Sequence, residues 1–155
     1  MKNIAIREMN KSDITEVVNM ICEAYDNENI WLDYRHAKIL PEIEYAFTDD
    51  PIPDCYKQTF FVAVIDNEIV GVGGIIGSFM SDNIFELSWG TVKPKYQRQG
   101  IGTLLIQHRI DFGKFQRSHG YFMVSTRYPE LFKKFGFNEV FRYDNSNSGV
   151  CYLKF

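Results

Sequence analysis

The stretch Thr91-Val92-Lys93-Pro94-Lys95-Tyr96-Gln97-Arg98-Gln99-Gly100-Ile101-Gly102-Thr103-Leu104-Leu105 decides the reading of this chain. A strand-like run, Ile84 to Val92, feeds a polar turn, and an apolar helix pattern begins where the turn ends in Gln97-x-x-Gly100-x-Gly102. Glycines at such a place let backbone N–H groups approach a ligand closely, because no Cβ stands in the way. Unpaired N–H groups at a helix start, aided by the helix dipole, favour an anion. The segment therefore reads as a phosphate cradle. It lacks the Gly-Lys-Ser/Thr of a P-loop and the GxGxxG of a dinucleotide fold.

Outward from this stretch, the chain alternates strand and helix signals. Asn3 to Arg7 is a short strand. Ser12 suits a helix N-cap, and Ile14, Val17, Val18, Ile21 and Cys22 recur at helical spacing after it. A second helix is expected over about 33–47, kinked or divided at Pro41. Residues 49–54, with Pro51 and Pro53, read as a loop. Phe60 to Ile65 and Ile69 to Ile76 flank Asp66-Asn67-Glu68 as a hairpin, apolar on both faces and so expected in the middle of a covered sheet.

Gly100 to Gln116 is the longest helix candidate, with Ile101, Leu104, Leu105, His108 and Phe112 on one face and Ile106 and Ile110 broadening it. Tyr121 to Thr126 is a strand. Pro129 to Phe135 is a short helix stopped by Gly136. Phe137 to Tyr143 and Val150 to Phe155 form a last strand pair. The order β-α-α-β-β-β-α-β-α-β-β predicts one α/β domain over residues 1–155, with a mixed, mostly antiparallel sheet of six to seven strands and helices on both faces. The strand-helix-strand unit from Ile84 to Thr126 predicts one parallel pair.

Composition narrows the function classes. With 155 residues, 45% hydrophobic and 24% charged, the chain suits a single globular core. A net charge of -3 argues against a nucleic-acid binder held by a basic face. Cys22, Cys55 and Cys151 are widely spaced, which fits reduced thiols in the cytoplasm better than a disulfide framework. No CxxC or HxxxH spacing suggests a metal, and no apolar run approaches the ~20 residues that span a bilayer.

These residues carry a resemblance. Gln97-Arg98-Gln99-Gly100-Ile101-Gly102 matches the R/Q-x-x-G-x-G/A of the GCN5-related N-acetyltransferases (GNAT) at every defined position. Val92-x-Pro94 resembles that family's strand exit. The run Leu131-Phe132-Lys133-Lys134-Phe135-Gly136-Phe137 is similar to its F-Y-x-x-x-G-F ending. The element order agrees over nearly the whole chain, the first 55 residues only as elements.

The resemblance implies acetyl-CoA as acyl donor, with no metal. Main-chain N–H groups of Arg98, Gln99, Gly100, Ile101, Gly102 and Thr103 would hold the pyrophosphate, and Gln97, the first residue of the motif, joins them among the expected cofactor-binding residues. Backbone groups of Thr91, Val92 and Lys93 would pair with the pantetheine arm in a gap between the fourth and fifth strands. An N–H near Val92 would polarise the thioester carbonyl, a contribution of about 3 kcal/mol for one such donor. Phe132, where many members have a tyrosine, would pack beside the arm; its phenyl ring donates no proton.

Glu86 stands where histone-type members have a catalytic glutamate on the fourth strand, and is the expected base; a solvated strand-face residue is the plain alternative. Tyr128, Ser125 and Thr126 lie near Phe132 in sequence and are the candidates to protonate the thiolate, although packing at the helix start also explains Tyr128. Ser125-Thr126-Arg127 resembles the matching segment of N-acetylglutamate synthases, so an amino acid joins small amines among the expected acceptors. Arg127 is the candidate for its carboxylate. Tyr25, Trp31, Tyr34, Tyr45 and Tyr56 are either acceptor-pocket walls or core. Lys93, Lys95 and Arg98 form a basic turn. Gly71, Gly73 and Gly74 mark either a close backbone approach or a bulge. Family members often form homodimers, and no membrane or nucleic-acid partner is expected.

Overall fold

A computed structural model describes residues 3–25, 32–49, 58–143 and 148–155. Its strands are β1 (Ala5–Glu8), β2 (Thr59–Ile65), β3 (Glu68–Ser78), β4 (Ser81–Val92), β5 (Tyr121–Thr126), β6 (Asn138–Arg142) and β7 (Gly149–Lys154). They form one seven-stranded sheet in the order β1-β2-β3-β4-β5-β7-β6. The helices are α1 (Ile14–Tyr25), α2 (Leu32–Tyr45), α3 (Ile101–Gln116) and α4 (Pro129–Lys133).

Strand periodicity sorts the core into two layers. Phe61, Ala63, Phe85, Leu87, Phe122 and Val124 point to one face, where Ile101, Leu105, Ile106 and Ile110 of α3 cover them. Phe60, Val62, Ile69 and Val72 point to the other and meet Val17, Val18 and Ile21 of α1 and Ile39 and Ile43 of α2. Strands buried on both faces read as unbroken apolar runs, as β2 and β3 do.

β4 and β5 are parallel, and the other sheet neighbours are antiparallel, as the strand-helix-strand order requires. The β2–β3 turn is tighter than expected: Ile65 pairs with Glu68, leaving Asp66 (φ 49°) and Asn67 (φ 65°) as a two-residue turn of the I′ kind. α2 continues through Pro41, whose ring lies on an exposed position. Ser78 pairs with Ser81, so β3 and β4 make a hairpin through Phe79 and Met80.

Candidate active site

β4 and β5 pair only from Ile84–Tyr121 to Leu87–Val124. Beyond that point β4 runs on to Val92 while β5 turns away with β7, so the sheet opens into a gap. At the same point β4 bulges. Ser88 pairs with Gly74 and Thr91 with Val72, which leaves Trp89 and Gly90 together opposite Gly73. Trp89 takes a positive φ of 48°, and its indole Nε1 donates to Glu42 Oε1 of α2 at 2.9 Å.

Backbone alternation then fixes what faces the gap. The Lys93 amide donates to the Val70 carbonyl at 2.9 Å, which marks Lys93 and Val70 as a hydrogen-bonded pair. The next pair, Val92 with Gly71, is therefore the non-bonded kind, with Val92 N–H and C=O turned toward the open edge. Thr91 and Lys93 present their backbone groups to β3 instead. Gln97 Nε2 donates to the Val92 carbonyl at 3.0 Å and ties the turn to the strand end.

The turn leads to a string of backbone donors. Pro94–Tyr96 form a 3-10 turn, with Gln97 N–H donating to the Pro94 carbonyl at 3.2 Å. Arg98 (φ 62°) and Gly100 (φ 85°) are left-handed, which swings the chain into α3. The first backbone bond of the helix is Leu104 N–H to Gly100 carbonyl at 3.0 Å, and Gly100 offers no side chain as cap. Among the described residues, the amides of Arg98, Gln99, Gly100, Ile101, Gly102 and Thr103 thus have no acceptor, the usual condition of a helix start. A Cβ on Gly100 would meet nothing within 4 Å, and one on Gly102 only Val92 Cγ2 at 3.9 Å. Those glycines keep open the space in front of the amides, so the residues present fit a diphosphate.

The basic turn is mostly neutralised internally. Lys93 Nζ bonds Glu16 Oε1 at 3.0 Å and Glu68 Oε1 at 3.1 Å, and Lys95 Nζ lies 3.0 Å from Glu68 Oε1. Hydrogen bonds from the Tyr96 hydroxyl, Lys95 and Lys93 pull the Glu68 carboxyl down to about 2. Arg98 makes no ion pair among the described residues.

Glu86 lies just before the gap. Phe85 and Leu87 face α3, so Glu86 points to the opposite face, where it is exposed. It shares a row with Ile76, Met123 and Tyr152. Ser125 is exposed on that face one step along, paired with Val150. Tyr128 caps α4 and is 70% exposed; its amide donates to Thr126 Oγ1 at 3.0 Å. Phe132 is buried in the α3-side core, edge-on to Phe137 with centroids 5.3 Å apart. Tyr45 is at the margin of exposure, while Trp31, Tyr56 and the side chains of Tyr25 and Tyr34 lie outside the described residues.

Sequence reasoning missed Arg109. It is buried beneath the bulge: Nε donates to the Leu105 carbonyl at 3.0 Å, and Nη1 to the carbonyls of Gly74 (3.1 Å) and Ser88 (3.2 Å). Burial pulls its guanidinium down to about 10. Gly73 owes its identity to this side chain, since a Cβ there would lie 2.7 Å from Arg109 Cζ. Gly71 admits Leu105 and Ile101 in the same way, and Gly74 admits Gln58 and Ser88, whose side chains hydrogen-bond each other. The glycine run therefore makes room for packing. A single Arg among Leu105, Ile106 and Ile110 at helical spacing, facing a glycine-rich strand, was the signal available.

The sequence matches the acetyltransferase (GNAT) domain family over residues 56–139. The chain belongs to that family. No curated protein matches the sequence. Among solved structures, this GNAT domain is similar to a GNAT-family acetyltransferase from Staphylococcus aureus Mu50 (24% identity, TM-score 0.75, 98% of this chain and 99% of that one). It is also similar to the PaiA N-acetyltransferase from Thermoplasma acidophilum in complex with coenzyme A (19%, 0.76, 99% of both). The N-acetylglutamate synthase from Neisseria gonorrhoeae, complexed with coenzyme A and N-acetyl-glutamate, shares the fold (17%, 0.71), this GNAT domain covering 35% of that longer chain. At these identities the likeness establishes the fold.

Proposed function

We propose that this acetyltransferase-family protein moves an acetyl group from acetyl-CoA to a primary amine by direct attack. The observation that carries the reading is the run of unpaired amides from Arg98 to Thr103, continuous with the open edge of β4 at Val92. Bound acetyl-CoA supplies the acetyl group as a thioester.

In this reading the amides that follow Gln97, with the Arg98 guanidinium, hold the diphosphate. The end of β4 aligns the pantetheine arm from Thr91 to Lys93, with Val92 supplying the outward backbone groups. The Val92 N–H polarises the carbonyl to be attacked. Phe132 backs the gap from the core. Glu86 takes a proton from the incoming amine, directly or through water, as a new C–N bond forms and the C–S bond breaks. The departing thiol has an ordinary pKa of about 8.5, so it leaves largely on its own, and Tyr128 can return a proton to it.

In this reading the acceptor approaches the face of β4, β5 and β7 that carries Glu86 and Ser125, both exposed. Small amines and amino acids are the classes proposed. A cytoplasmic setting completes the proposal; no described helix is long and apolar enough to cross a membrane.

Release of CoA thiol on a panel of amines and amino acids, alongside calorimetric titration of CoA, tests the reading. Amine-dependent thiol release supports it. Tight CoA binding without release on any acceptor would make the chain a non-catalytic binding module. No CoA binding at all would remove the cradle itself.

A further inference from the structure

The guanidinium of Arg109 is a buried cation with no carboxylate beside it among the described residues. Replacing a buried charge by an apolar chain of similar volume is often neutral or stabilising, so stability alone does not explain why it is there. Its position does. Nη1 joins the carbonyls of Gly74 and Ser88, the cross-strand pair where the ladder breaks, and the bulge of Trp89 and Gly90 begins at the next residue. Nε anchors the same side chain to its own helix through Leu105. A Cβ on Gly90 would lie 3.5 Å from Nη2, so the guanidinium spans the bulge from below. Gly73 leaves the room it occupies.

We infer that Arg109 is a positioning residue: by tying the Gly74 and Ser88 carbonyls to α3, it holds the β4 bulge in place and thereby aims the Val92 amide into the gap. A bulge inserts one residue and so shifts which backbone groups face each side. If Ser88 were released, β4 could re-register on β3 and carry the Val92 groups away from the open edge. The same helix begins with the unpaired amides of Ile101 to Thr103, so one rigid element sets both the cradle and the bulge. Sites need such support to hold their geometry within fractions of an ångström.

The inference rests on the acetyl-transfer reading for its catalytic consequence but not for its structural one. The test compares the full-length protein with Arg109→Met, Arg109→Lys and Gly73→Ala. The readouts are hydrogen–deuterium exchange along β4, CoA affinity and thiol release. In Arg109→Met, exchange over residues 88–92 is expected to speed up about tenfold while β2 and α1 keep their rates, as for a local opening. Turnover is expected to fall by about 10- to 100-fold, short of the loss of a direct oxyanion donor, with CoA affinity within about threefold of wild type. Arg109→Lys, which keeps the charge but cannot bridge both carbonyls, restores only part of each.

Should Arg109→Met fail to fold, Gly73→Ala decides: it displaces the guanidinium with the charge intact and is expected to produce the same local exchange and the same kcat loss. Wild-type exchange over 88–92 in the folded variants, or acceleration spread evenly over the fold, overturns the inference. If the wild type neither binds CoA nor releases thiol, the acetyl-transfer reading fails, and the exchange pattern still decides the role of Arg109.

Discussion

Glu86 and Gly102 stand at the two ends of the proposed chemistry, and each can be tested singly. Glu86 makes no ion pair among the described residues and faces an open row of the sheet. Glu86→Gln is expected to lower kcat about 100-fold for a lysine-like amine, within the range of general-base catalysis, while CoA affinity stays unchanged. The loss should shrink as pH rises toward the amine pKa of about 10.4, and should be smaller for an α-amine near 7.7–8.0. Steady-state rates across pH for both acceptor kinds check this; equal rates for mutant and wild type throughout would dismiss Glu86 as base. At Gly102 the fold leaves space for a side chain, so Gly102→Val should hold or raise the melting temperature, since Gly is a poor helix former. Its isopropyl group fills the cradle instead, and CoA affinity should drop more than about tenfold, roughly 1.4 kcal/mol or more. A variant that keeps wild-type affinity would place the diphosphate elsewhere. In the sequence Gly102 is flagged by its motif and Glu86 by its place on the fourth strand. Arg109 is not, because a charged residue on a helix is read as solvent-facing unless the opposing strand is known to lack side chains.

Elements differ in how much of their form local sequence encodes. β5 has the bounds its alternation predicts, and α3 starts after the glycine that turns the chain. The β3–β4 hairpin turns at Phe79 and Met80, which carry none of the Gly, Asn or Asp chemistry that announces a tight turn. The buried face of α3 also sits slightly off the expected one: Leu104 is 44% exposed, and Ile101, Leu105 and Arg109 form the stripe with Ile106, Ile110 and Gly113. Helical periodicity shows that a face exists, but the sheet decides where its centre lies. Gly113 marks that centre. A Cβ there would stand 2.4 Å from Phe122 Cε1, and Phe122 is held between Phe85 and Phe155 at centroid distances of 5.7 and 4.5 Å. Gly113→Ala should cost about 1–3 kcal/mol by overpacking, reduced by up to about 1 kcal/mol from the better helix propensity of Ala. At roughly 2–4 °C per kcal/mol for a chain of this size, calorimetry resolves it. An unchanged Tm would mean the ring moves freely.

At the scale of the whole molecule, the two carboxyls held lowest among the described residues belong to two surface networks. Arg142 and Lys133 pull the Glu139 carboxyl down to about 2, as Tyr96, Lys95 and Lys93 do for Glu68. Both carboxyls lie below their ordinary value of 4.5, so their contribution to stability is present above that pH and is lost as pH falls toward about 2. The double variant Glu68→Gln/Glu139→Gln should flatten the decline of Tm over that window, and added salt should flatten it in the wild type, because exposed ion pairs are screened. An identical slope in the double variant would assign acid unfolding to other groups. The sheet itself divides into two wings, β1 to β4 and β5 to β7, stitched along the backbone, among the described residues, by the strand pairs from Ile84–Tyr121 to Leu87–Val124. So short a seam makes the wings candidates for separate cooperative blocks that exchange their amides at different rates. A molecule wedged where the seam ends would act as a staple, and the two blocks would then open as one.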